Sequence, residues 1–192
     1  MTNLMKNINL KKLSVALSLT ALGLGIGAIV SFLKLPVFLD TIGVMMCTLL
    51  LGWRYGLLSA VVTSLFGFFF VSPVIPFFFA TMLGLVFFTE LCYKWGYYGT
   101  FGKTLLAGIG HGIVGTTLSL PVTYLLFGGF TSSGNDLIVS FFVSQGYSIL
   151  WSVLISLTSF AILDRILTCF FCTSVMKAIP KRFLKEHDFR SL

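Results

Sequence analysis

The sequence predicts an all-α integral membrane protein: one membrane domain, a six-transmembrane-helix bundle with both termini in the cytoplasm. Three observations predict it. The chain is 57% hydrophobic and 10% charged, with a mean hydropathy of +1.00, whereas a soluble domain carries about 25% charged residues. The apolar surplus must face lipid. The apolar residues also fall into six runs, 13–33, 37–52, 56–71, 77–94, 102–127 and 137–168, separated by turn-forming residues. Finally, the basic residues are lopsided. Lys6, Lys11, Lys12, Arg54, Lys94, Lys103, Lys177, Lys181, Arg182, Lys185 and Arg190 fall on the N-terminal side of such a bundle, and Lys34 on the other with Asp40 and Asp136. Basic loops stay in the cytoplasm. The net charge of +7 is this topological signal and not a nucleic-acid footprint.

The first run follows Lys6, Lys11 and Lys12, as the apolar part of a signal peptide would. It is about twenty residues long, enough to cross ~30 Å of hydrocarbon. No small-x-small cleavage site follows, so it reads as a retained first helix. Ser14, Ser18, Ala21, Gly25 and Ala28 recur at spacings of three and four, forming one stripe of small residues. Ala16, Thr20, Gly23 and Gly27 form a second row partly beside it. Small residues let two backbones approach closely in a membrane. The stripe therefore either packs within the bundle or docks another membrane subunit.

Lys34 and Pro36 close the first run, and Asp40-Thr41 precede the second. A carboxylate at the mouth of an apolar bundle must be solvated or partnered, which predicts an outward loop that touches something polar. The second run is short for a span, and by length it can be re-entrant. A Gly52-Trp53-Arg54-Tyr55-Gly56 turn leads to the third run, and Ser72-Pro73 to Pro76 end it. Glu90 and Lys94 form an i,i+4 pair near the end of the fourth.

The fifth run contains Gly110-His111-Gly112-Ile113-Val114-Gly115, a dinucleotide-type glycine pattern without the strand that must precede it. The glycines read instead as a close helix crossing. Gly102-Lys103-Thr104 lacks the first phosphate-loop glycine, because position 97 is Tyr. His111 stands ~14 Å above the cytoplasmic end of this helix. It is either a satisfied interior residue or a ligand contact. In the sixth run Gln145, Ser148, Ser152, Ser156 and Ser159 form a polar stripe, either lining a pocket or bonding neighbouring helices. Gln145 is ~12 Å below the outer end, at a depth similar to His111. Tyr147 and Trp151 lie near that level. Asp164-Arg165 caps or anchors this last span.

The remaining chemistry is thin. Cys169-x-x-Cys172 at the cytoplasmic end lacks two further zinc ligands, and His187 is not suitably spaced. Cys47 and Cys92 are apolar fillers. There is no catalytic set or metal cluster, which argues against an intramembrane enzyme. The basic tail, residues 169–192, suits the anionic inner leaflet. The candidate ligand site takes hydrogen bonds from Asp40, Asn135 and Gln145, with His111 at its floor and Tyr124 and Trp151 as walls. The stripe of Ser18, Ala21, Gly25 and Ala28 is the candidate partner face.

Taken together, LPVFLDTIG, LLLGWRYG, SPVIPF, FGGFTSSGNDLIV and LDRILT resemble the substrate-binding (S) components of energy-coupling-factor (ECF) vitamin importers. The likeness runs from about residue 13 to residue 183. It implies a six-helix bundle that captures a vitamin from outside, in a pocket built by the outer loops and the outer halves of the later helices. It also implies docking on a transmembrane coupling protein driven by two cytoplasmic ATPases. The chain then has no cofactor of its own, since the partners use ATP. The family's A-x-x-x-A motif is matched by Ala21-x-x-x-Gly25, with Gly in the second place. The expected function is uptake, from the bacterial cell membrane, of a B6 vitamer or a hydroxymethylpyrimidine-like ring. A membrane sensory module is the alternative.

Overall fold

The computed structural model describes residues 10–35, 39–186 and 188–192. Lys6, Pro36 and His187, which entered the sequence reading, lie outside them. Every described element is helical: α1 (Leu10–Phe32), α2 (Ile42–Leu51), α3 (Trp53–Phe70), a 3-10 turn (Ile75–Phe78) leading into α4 (Phe79–Lys94), α5 (Phe101–Pro121) running on as a π turn (Val122–Leu126), α6 (Asn135–Ser144), α7 (Ile149–Ala178) and α8 (Lys181–Glu186). Five of these, α1, α3, α4 with its turn, α5 with its turn, and α7, are long and apolar enough to cross a membrane.

Two of the six expected spans therefore take a different form. The second run yields α2, ten residues long and ~15 Å, half of a hydrocarbon core. All ten of its residues are buried, and it packs on α1, α3, α4 and α7. It is the central post of the bundle and does not cross it. The sixth run is two helices. Gly146, at φ 89, turns the chain between α6 and α7 in a conformation that side chains resist. From there no Gly or Pro intervenes before Pro180, so α7 runs ten residues past the expected end at 168. Two readings change as a result. Asp164-Arg165 does not cap the span but lies in mid-helix, roughly fifteen residues or ~22 Å from either end. Cys169 and Cys172 are not at a helix end either; both are free and fully buried.

Glycines permit two close helix crossings. On α1, the row of Ala16, Thr20, Gly23 and Gly27 is buried. A Cβ on Gly23 would lie 2.8 Å from the Gly43 nitrogen of α2, and one on Gly43 would lie 2.5 Å from the Leu19 carbonyl. On α5, Cβ atoms at Gly108 and Gly112 would fall 2.7 and 2.6 Å from the Cα atoms of Ile166 and Ile162 on α7. The glycine run around His111 is thus a contact ridge between α5 and α7. The other α1 stripe faces away: Ser14, Ser18, Ala21 and Gly25 are exposed and Ala28 is half-buried.

The first turn of α1 and residues 188–192 meet at one end of the bundle. Lys12 binds Asp188 at 2.6 Å and holds that exposed carboxyl below the usual carboxylate range. Arg190 forks onto Glu90 at 2.6 and 3.3 Å, and its backbone N–H donates to Leu50 O at 2.9 Å. Residues 188–192 therefore fold back on the last turns of α2 and α4.

Candidate ligand-binding cavity

At the opposite end a cavity of about 140 Å³ opens among α1, α4, α5 and α7. Its roof comes from the connections after the first, third and fifth runs: Leu35, Asp40 and Thr41 from the first, residues of 71–78 from the second, and residues 131–134 from the third. The first of these is shaped locally. Lys34 takes φ 52, and the Lys34 and Leu35 N–H groups return to Ser31 O and Val30 O at 3.1 and 3.2 Å. That is a left-handed helix stop in which Lys replaces the usual Gly. The Lys34 ammonium then reaches Ser132 O at 2.8 Å. Gly134 lies so close to Lys34 O and Leu35 O that a Cβ could not fit between them. The loop before α6 is thereby held against the loop after α1.

The floor is built from the middle of α7. The Asp164 carboxylate accepts the Leu39 N–H at 3.0 Å and lies 3.4 Å from Arg165 Nη1. Arg165 Nη1 also donates to Thr41 Oγ1. The pair thus anchors the chain on both sides of Asp40 and starts α2 beside the middle of α7, where the Met45 N–H donates to the Thr41 carbonyl at 2.9 Å. Asp40 itself lines the cavity, and its Oδ1 has no hydrogen-bond partner. Two more lining residues, Thr81 on α4 and Thr123 on the π turn, are buried with unpartnered hydroxyls. Buried polar atoms ordinarily find partners. Groups left open around a cavity can hydrogen-bond whatever occupies it.

The residues chosen from sequence are divided by this geometry. Asp40 lines the cavity. His111 lies one layer deeper, beside a small void that Thr41 and Arg165 also border. Its ring is already engaged: Nδ1 is 2.7 Å from Ala107 O, Nε2 is 2.9 Å from Thr89 Oγ1, and Phe88 packs edge-on at 4.7 Å. Asn135 is buried at the start of α6 with both amide atoms unpartnered; its neighbour Gly134 lines the cavity and Asn135 does not. Tyr124, Gln145 and Trp151 are exposed and outside the lining. Gln145 ends α6, so it does not share a helix with Ser152 and Ser156.

Sequence reasoning missed Arg165, Thr41, Thr81 and Thr123. The first had a readable signal. A charged pair in LTSFAILDRILTCFF, with apolar residues on both sides, is an intramembrane pair and therefore a functional candidate. The threonines carried no signal, because hydroxyls that bond their own helix are common in such segments. Among the described residues no group of His, Cys, Asp and Glu could hold a metal ion.

The model of the ECF transporter substrate-specific component family matches residues 15–176. No curated protein and no solved structure matches.

Proposed function

The chain belongs to the ECF transporter substrate-specific component family, and from that membership we propose that it captures a vitamin or vitamin precursor from outside the cell in the cavity above α2. A coupling protein and two ATPases then drive uptake, with ATP bound by those partners. The observation that carries the reading is the cavity itself. It is roofed by three loops, floored by the Asp164–Arg165 pair, and lined by apolar side chains with a few unpartnered polar groups. A mostly apolar pocket with few directed polar groups is what a tight small-molecule site requires.

Its volume, about 140 Å³, favours a single flat ring of the size of a B6 vitamer or hydroxymethylpyrimidine. In this reading the cavity end is outside, and the end where Lys12, Glu90 and Arg190 gather is cytoplasmic. The partner face is the outward stripe of α1, Ser18, Ala21, Gly25 and Ala28. A side chain at Gly25 would meet nothing within 4 Å, so that face is open to another backbone. His111 supports the floor from below.

The test is native mass spectrometry of the purified protein, followed by uptake of the released compound in cells with and without the coupling module. A bound vitamin-sized molecule whose uptake needs the module is expected. Uptake that persists without the module overturns the reading.

A further inference from the structure

We propose that the cavity selects a small monocyclic cation, whose ammonium or protonated ring nitrogen sits on the Asp40 carboxylate. The inference rests on reading this cavity as the substrate site, and it adds the charge class of the substrate. Three charged side chains meet at the floor: Asp40, Asp164 and Arg165. The last two are committed to the protein. Asp164 has no exposed surface; it holds the Leu39 N–H at 3.0 Å and lies 3.4 Å from Arg165 Nη1. Arg165 in turn holds Thr41. Asp40 remains, on the cavity wall with Oδ1 unpartnered.

When both carboxylates are ionised, two negative charges face one guanidinium and the floor is one positive charge short. An uncompensated charge in such surroundings is costly, and a partner of opposite charge relieves it. Lys34 does not serve: it is exposed at the rim, with its ammonium on Ser132 O. An anion would gain little from a guanidinium already shared with Asp164 and would face both carboxylates. Above Asp40, the free hydroxyls of Thr81 and Thr123 can each donate or accept, which suits a ring heteroatom or hydroxyl. The volume of about 140 Å³ approaches that of the ~150 Å³ cavity known to admit benzene, so one ring fits.

The test is thermal unfolding of the purified full-length protein at neutral pH with millimolar benzylamine, benzyl alcohol or benzoate. These are single rings of similar size with charges of opposite sign or none. Benzylamine should raise the midpoint by ~2–4 °C, as a weak site-specific ligand does. The alcohol and the benzoate should shift it far less. Asp40→Asn should abolish the benzylamine shift, and Asp188→Asn, at the far end of the bundle, should preserve it. Equal stabilisation by benzyl alcohol, a larger shift with benzoate, no shift with benzylamine, or a shift that survives Asp40→Asn each overturns the proposal. If Asp40→Asn fails to fold, the three-probe comparison on the unmodified protein decides. None of these results depends on the coupling module, so failure here leaves the module-dependent uptake experiment to judge the transport reading separately.

Discussion

Thr123 carries a hydroxyl that is buried, unpartnered and on the cavity wall, and this combination predicts opposite effects on folding and on binding. Thr123→Val removes the hydroxyl at nearly constant shape. The empty protein should lose no stability, because the hydroxyl bonds nothing there. Affinity for the co-purified molecule should fall about tenfold, the worth of one hydrogen bond. Gln145→Leu, in an exposed turn, should change neither. Titration calorimetry and thermal unfolding of both variants check this, and weakened binding in Gln145→Leu alone would reverse the assignment. Arg165 behaves differently. Arg165→Met takes the guanidinium away from the enclosed Asp164 carboxylate and from Thr41, so unfolding free energy should drop by about 3–5 kcal/mol. The double variant Asp164→Asn/Arg165→Met should recover much of that loss. Asp40 was legible in the sequence because a carboxylate between apolar runs is conspicuous. Gln145, Tyr124 and Trp151 misled because a polar or aromatic residue in an apolar run reads alike whether it faces a pocket or a turn.

The two faces of α1 make the matching argument for an element. Gly23 is closed in by Gly43 of α2, whereas Gly25 has nothing within 4 Å. Gly23→Val should force α1 off α2 and lower the unfolding midpoint, with overpacking of this kind costing about 1–3 kcal/mol. Gly25→Trp should leave the midpoint and ligand affinity unchanged while abolishing module-dependent uptake. Full uptake by Gly25→Trp would remove this stripe as the partner face. Both small rows were visible in the sequence, two residues out of register. Which one turns inward depends on where α2 stands, and α2 is placed by the Leu39–Asp164 and Thr41–Arg165 bonds. Those contacts bridge more than a hundred residues of chain and have no local signature. The α6–α7 break was more accessible: Gln145-Gly146 sits inside a run of 32 residues, longer than one tilted span needs.

For the whole molecule, the meeting of Lys12 with Asp188 and of Arg190 with Glu90 puts the start of α1 and residues 188–192 at one side of the bundle. Which side is a matter for labelling. A cysteine at Ser132, exposed on the cavity roof, should react with an impermeant thiol reagent in intact cells, and one at Ser191 should react only after the membrane is opened. The converse pattern would invert the protein in the membrane. The short central helix has an electrical consequence. A bilayer insulates with ~30 Å of hydrocarbon, whereas α2 is ~15 Å long, with the cavity and its loops beyond its first turn. Where water fills that cavity, a membrane voltage drops over half the usual distance, across Met45, Met46, Leu49 and Leu50. Moving one charge through that stretch involves nearly the full electrical work, about 2.3 kcal/mol per 100 mV. The close packing of α2, with Cys47 and Leu49 wholly enclosed, is thus the layer that would bear that voltage.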